Sequence, residues 1–173
     1  EATFAKLWKV SMVDHKVSPL NSVAGALTSD VRVCPTSDLA VFIASPLNPS
    51  IGAFGEKTGP SRLMVSDLSH DLARQIFSSE QRLTDLWLSC GGNFILAKEQ
   101  EDYHLFELSG KHVRTIFLEK LVAVSQQTSI VVTKNEKGQL SLLNVKTGDV
   151  VKLTEDSSEF SNVRYTVLGM MSQ

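Results

Sequence analysis

A repeat of about 40 residues constrains the fold of this chain more than any other feature of its sequence. Four short segments share one form, in which an apolar strand ends on a hydrophobic residue before a polar or glycine-containing turn. We call these hydrophobic residues the anchors: Val10, Leu68, Leu108 and Val145, spaced 58, 40 and 37 residues apart. The first spacing is longer because the segment from Ser45 to Ser61 exceeds its counterparts by about a dozen residues.

The apolar pattern within a unit predicts short β-strands bounded by turn residues such as Gly91-Gly92-Asn93. The stretch from Asp67 to Ser78 fits a strand, a turn and a second strand better than a helix. A unit of about 40 residues with four strands is typical of a propeller blade, which must stack on its neighbours. The strands predicted in two consecutive units are Leu83–Ser89, Phe94–Glu99, Tyr103–Leu108 and Val113–Leu118, then Leu121–Val124, Ser129–Thr133, Gln139–Val145 and Val150–Leu153.

The ends of the third strands resemble those of WD40 repeats, which close on a Trp-Asp pair. The pair positions hold Trp8-Lys9, Ser66-Asp67, Phe106-Glu107 and Leu143-Asn144, so each half of the signature occurs without the other. The Gly-His dipeptide and the supporting aspartate of the family are missing, and its hydrogen-bonded tetrad is therefore not carried over. The resemblance implies an all-β fold, built from antiparallel four-stranded blades of a WD40-like β-propeller.

The chain of 173 residues has room for about four such blades, whereas WD40-like propellers usually have about seven. We therefore expect an incomplete arc, completed by remaining blades from the parent chain or from a partner chain. The alternative is a small ring in which Val163 to Met170 joins the N-terminal strands. Residues 1–173 are expected to form a single propeller region, with approximate units at 1–20 (partial), 21–80 (with the long insertion 45–61), 81–120, 121–156 and 157–173 (partial).

Composition and charge are those of a soluble globular protein, 42% hydrophobic and 21% charged. Seventeen basic and nineteen acidic residues give a net charge of −2, which disfavours nucleic acid and membrane surfaces as partners. The apolar runs are too short for membrane insertion, and no signal peptide is visible. Two cysteines, Cys34 and Cys90, are too few for a disulfide framework, so we expect reduced thiols and a cytoplasmic location.

The sequence predicts no catalytic site, no cofactor and no metal site. The segment Gly52 to Gly59 resembles a phosphate-binding loop, but Glu56 stands where that loop requires glycine. Cys90 precedes a Gly-Gly turn with no histidine that the repeat would bring to it, and the acid–histidine neighbours, such as Asp102 and His104, supply too few ligands for zinc. Trp8 and Trp87 are predicted to pack in the core, with an interaction hot spot as the alternative.

The function that the pattern favours is a non-catalytic protein–protein interaction scaffold within a larger cytosolic protein or multisubunit complex, with other protein subunits as partners. One alternative is a ligand-binding or enzymatic propeller with a central-channel site, which the apolar first-strand starts Val31, Leu83 and Leu121 disfavour. Another is a structural segment that packs on helices of its own chain. The predicted contact residues lie in the insertion and in one acidic turn: Leu47, Ile51, Phe54, Lys57, Glu99, Glu101 and Asp102.

Overall fold

A computed structural model describes residues 8–11, 13–19, 26–34, 36–46, 60–70 and 72–154, with the backbone alone at residues 26, 27 and 46. These residues form fourteen β-strands, and no helix among them is long and apolar enough to cross a membrane. The strands are β1 (Trp8–Val10), β2 (Val17–Pro19), β3 (Ala26–Val33), β4 (Leu39–Pro46), β5 (Ser61–Asp67), β6 (Leu72–Ser79), β7 (Leu83–Ser89), β8 (Phe94–Glu99), β9 (Asp102–Phe106), β10 (His112–Phe117), β11 (Lys120–Val124), β12 (Ile130–Lys134), β13 (Leu140–Asn144) and β14 (Val150–Lys152).

Three antiparallel sheets of four strands follow one another along the chain. The first sheet consists of β3 to β6, the second of β7 to β10 and the third of β11 to β14, and each strand pairs with the next. β1 and β2 form a separate two-stranded hairpin. β7, the first strand of the second sheet, contacts β3 and β4 of the first sheet and β11 of the third. The described sheets therefore stand in an open row with the second sheet in the middle, and they do not close into a ring.

Most strand bounds agree closely with the sequence predictions. β7 and β8 have the predicted bounds, and β9 to β14 begin and end within two residues of theirs. β3 differs more, because it begins at Ala26, five residues before Val31. The helical alternative for Asp67 to Ser78 is wrong. Asp67 ends β5, and its carboxylate accepts a hydrogen bond of 2.9 Å from the backbone N–H of Ser69, which fixes the turn into β6.

The core lies between the sheets, and alternate residues of one strand serve its two sides. In β8, Ile95 and Ala97 belong to the apolar cluster shared with the first sheet. Phe94 and Leu96 belong to the cluster shared with the third sheet. Since successive side chains on a strand point to opposite faces, a continuous apolar run is what a strand covered on both faces requires.

The two tryptophans differ in their surroundings. Trp87 packs against the cluster between the second and third sheets, which confirms the core prediction for this residue. The core prediction for Trp8 is wrong, because its side chain is 56% exposed. Trp8 lies on β1, and the described hairpin of β1 and β2 offers only half the strands of a full sheet to cover it.

The two cysteines also depart from the prediction. Cys34 and Cys90 form a disulfide, with their Cα atoms 5.8 Å apart, so the expectation of reduced thiols is wrong. The sequence offers no sign of this pairing, because the residues are 56 positions apart and meet only when the first and second sheets stack.

Candidate functional site

The acidic turn and both ends of the insertion lie at one end of the sheets. We call this end the upper face, and it carries the turns between second and third strands and the links from one sheet to the next. The chain leaves the first sheet at Pro46 and re-enters it at Ser61 on this face, so the insertion begins and ends there. The remaining upper-face segments are 79–83, 99–102, 117–120 and 134–140, and the opposite end is the lower face.

The predicted contact residues divide into two groups. Leu47, Ile51, Phe54 and Lys57 lie outside the described residues. The acidic turn joins β8 to β9 on the upper face, and the positive φ of Gln100 (53°) makes the tight reversal. Glu101 and Asp102 are exposed there.

Glu99 is held by hydrogen bonds and does not point freely into solvent. One carboxylate oxygen accepts a hydrogen bond from the Ser79 hydroxyl of the first sheet, and the other lies 2.9 Å from Nε2 of His104. Nδ1 of His104 lies 3.2 Å from the Thr115 hydroxyl. The sequence placed His104 on a face with Asp102, but the structure pairs it with Glu99. The network fixes the base of the acidic turn and ties it to the neighbouring sheet.

The acidic turn adds negative potential to a part of the upper face. Burial raises the pKa of the Tyr103 phenol, and the charges of Asp85 and Glu101 raise it further. Asp85, Glu101 and Asp102 all have exposed side chains.

An aromatic cluster fills the junction between the first and second sheets below Glu99. The ring centroid of Phe77, on the first sheet, lies 4.9 Å from that of His104 and 5.3 Å from that of Phe106. The rings of Phe77 and His112 are near parallel, with centroids 6.3 Å apart. The ring centroids of His104 and His112 lie 5.6 Å apart, and, besides burial, the proximity of His104 contributes to lowering the pKa of His112.

We predict that this junction weakens in mild acid. Burial, aided by the neighbouring His104, lowers the pKa of His112 below its usual 6.5. The unfolded chain therefore binds more protons than the folded chain as pH falls through the range just below 6.5. The stability that neutral His112 contributes is present in full above pH 6.5 and is lost as the pH falls through the lowered pKa. Urea unfolding at several pH values measures this slope.

The variant His112→Phe keeps a ring in the cluster and should flatten the slope between pH 7 and 5. His15→Asn removes an exposed imidazole outside the junction and serves as the matched control, because asparagine tolerates the positive φ at that position (56°). Equal slopes in the wild type and in His112→Phe would contradict the assignment.

A cation from one sheet or hairpin reaches a backbone carbonyl of the next at each described junction. Lys9 donates to the carbonyl of Leu68, and Arg74 donates to that of Ser109. Arg114 Nη2 donates to the carbonyl of Val145 at 2.5 Å. The acceptors are anchor residues, or the neighbour of one, so the repeat marks the points where successive units are tied together.

The third sheet lacks this cation. Arg74 pairs with Val65, and Arg114 pairs with Leu105; Val65 and Leu105 each lie three residues before an anchor. In the third sheet the residue three positions before the anchor is Leu142, and it pairs with Val151. Val150 and Val151 of β14, the outer strand of the third sheet, and Leu153 just after it are at least half exposed. The outer strand of the third sheet therefore presents an apolar edge and no charged group at this position.

A groove of about 510 Å³ lies between the second and third sheets. Its lining includes Phe117, Thr133 and Ser141, and Ser141 occupies the register position that His104 holds in the second sheet. A small side chain thus leaves open what the aromatic cluster fills at the preceding junction. No group of three or more metal-ligating side chains occurs in the part of the chain that the structure describes.

Comparisons with known proteins identify the fold. No protein-family model matches the chain, and no curated protein matches it significantly. Solved β-propellers do. The Dos1 propeller is 11% identical with a TM-score of 0.57, over 83% of this chain and 36% of that one. The β-propeller domain of the Trilobed protease from Pyrococcus furiosus, which has an open velcro topology, is 14% identical with a TM-score of 0.55, over 87% and 53%.

An uncharacterized protein from Listeria monocytogenes EGD-e is 14% identical with a TM-score of 0.51, over 75% of this chain and 40% of that one. At these identities the likeness concerns the fold alone. The three four-stranded sheets are blades of a β-propeller, which confirms the predicted fold class, and the described blades form an open arc. The chain spans about 36–53% of the length of these three structures.

Proposed function

We propose that this chain is a non-catalytic interaction scaffold, which binds another protein through its upper face. One observation carries the proposal. Both ends of the long insertion, at Pro46 and Ser61, and the acidic turn at 99–102 lie on the same face of the arc. Insertions in repeat folds map to loops that often form the binding face.

The acidic turn supplies the part of this face whose geometry is described. The hydrogen bonds of Glu99 to Ser79 and His104 hold the turn on a rigid base. A turn that is already ordered loses little conformational entropy on binding. Glu101 and Asp102 then face solvent, and their charge favours a partner with a basic segment. We place Leu47, Ile51, Phe54 and Lys57 of the insertion in the same interface.

The setting of the scaffold is part of the proposal. We infer that it works within a larger protein or multisubunit complex in the cytoplasm, without a cofactor and without nucleic acid. The apolar outer strand of the third sheet supports a second role. Val151 and Leu153 offer exposed apolar surface on which a further blade, from the parent chain or a partner chain, would pack.

Charge reversal on the upper face tests the proposed binding function. We expect Glu101→Lys with Asp102→Lys to weaken capture of the protein partner by about tenfold or more, because like charges then meet across the interface. Quantitative affinity purification with the full-length protein measures the loss. The triple variant of Leu47, Ile51 and Phe54 to serine tests the insertion in the same assay.

The matched control is Asp38→Lys with Glu107→Lys, which reverses two acidic residues on the lower face. This variant should retain every partner. Retention of all partners by both upper-face variants would overturn the proposal, and so would equal losses from upper-face and lower-face reversals.

A further inference from the structure

The disulfide joins the ends of the first strands of two neighbouring blades. Cys34 directly follows β3 and Cys90 directly follows β7, and both lie on the lower face. Their Cα separation of 5.8 Å is within the usual range for a disulfide. These are the only two cysteines of the chain, so the bond has no competing partner within it.

The turn that carries Cys90 also contacts the third sheet. The backbone N–H of Gly91 donates to the carbonyl of Gln126 at 2.8 Å, and the Ser89 hydroxyl donates to the carbonyl of Thr128 at 3.2 Å. Gly92 packs so closely that a Cβ atom there would lie 2.3 Å from the Thr128 carbonyl oxygen. Residues 89–93 therefore meet the first sheet through a covalent bond and the third through hydrogen bonds.

We propose that the Cys34–Cys90 pair is a redox-controlled clasp, which locks the three blades together at this turn when oxidised and loosens them when reduced. The chemistry requires a dithiol reductant. Its thiolate attacks the sulfur of Cys90, which is only partly buried, whereas Cys34 is 3% exposed. Cys34 leaves as a thiolate and takes up a proton.

The second thiol of the reductant then attacks the mixed disulfide and releases Cys90. The reductant becomes a disulfide, and the protein gains two electrons and two protons in all. Disulfides of cytosolic proteins are usually transient or redox-sensing, so the clasp is compatible with the proposed location. It does not depend on the proposed binding function.

The first test counts thiols. Protein purified without reductant is denatured and treated with iodoacetamide, and its mass is measured. A second sample is treated with the phosphine TCEP before iodoacetamide, and its mass is measured in the same way. We expect no labelled thiol before reduction and two after it. Two labelled thiols before reduction would overturn the proposal.

The second test follows the loosening itself by hydrogen exchange on the folded wild-type chain, with and without TCEP. We expect exchange at Gly91 to become about tenfold faster or more on reduction, because local opening then costs less free energy. The upper-face turn at 135–138, between β12 and β13, should exchange at the same rate in both states. The melting temperature should fall by about 5–10 °C, given the usual contribution of a disulfide.

Cys34→Ser serves as the matched variant, since it should match the reduced wild type and lose all response to TCEP. If this variant does not fold, the comparison of oxidised and reduced wild type still decides the question. Unchanged exchange at Gly91 and an unchanged melting temperature on full reduction would overturn the clasp.

Discussion

Replacement of Phe106 by alanine is expected to lower the free energy of unfolding by about 3–5 kcal/mol. Phe106 is fully buried on β9, in the core cluster shared by the first and second sheets. Its ring centroid lies 5.3 Å from that of Phe77 on the first sheet and 5.1 Å from that of His112. Alanine would leave a cavity between two blades that the stacked sheets cannot close without shifting as units.

Urea unfolding of the isolated chain measures this loss as a lower transition midpoint. Phe117→Ala is the matched control, because Phe117 lies on the neighbouring strand β10 with 67% of its side chain exposed. We expect this control to change the free energy of unfolding by less than about 0.5 kcal/mol. Similar losses in the two variants would contradict the stacking of the first two sheets through Phe106.

Removal of the Arg114 side chain is expected to cost about 1.5–3 kcal/mol, the usual value for a hydrogen bond to a charged group. Arg114 reaches from β10 to the carbonyl of Val145 in the third sheet and is itself partly buried. Arg114→Ala removes the guanidinium and leaves this carbonyl without its cation. The loss is measured by the same urea titration.

Arg62→Ala is the control, because it removes an exposed arginine from β5 that makes none of the described junction contacts. Arg114→Lys keeps the charge without the planar guanidinium and should restore part of the loss. An alanine variant at Arg114 as stable as Arg62→Ala would show that this contact does not hold the second and third sheets together.

The sequence predicts the strands of this fold well, because their signal is local. The bounds of β7 and β8 follow from apolar runs that end at Gly91-Gly92 and at the turn after Glu99. The anchors Leu68, Leu108 and Val145 each come within two residues of the end of a third strand. A repeat of about 40 residues and four strands is enough to indicate stacked blades.

The contacts between blades could not be predicted in the same way, because they depend on how whole sheets stack. Cys34 and Cys90 are 56 residues apart, and Ser79 meets Glu99 across two sheets. For Arg74 and Arg114 a signal was present, since each lies six residues after an anchor. Only the stacked structure shows that both reach a carbonyl of the next blade.

The most direct test of the upper face as a binding surface is hydrogen exchange on the complex of the full-length protein with its protein partner. We predict slower exchange on complex formation at 79–83, 99–102 and 117–120, the described links and acidic turn of the upper face. The lower-face turns at 106–111 and 144–149 should exchange as in the free protein. Protection confined to the lower face, with the upper-face turns unchanged, would contradict the proposed function.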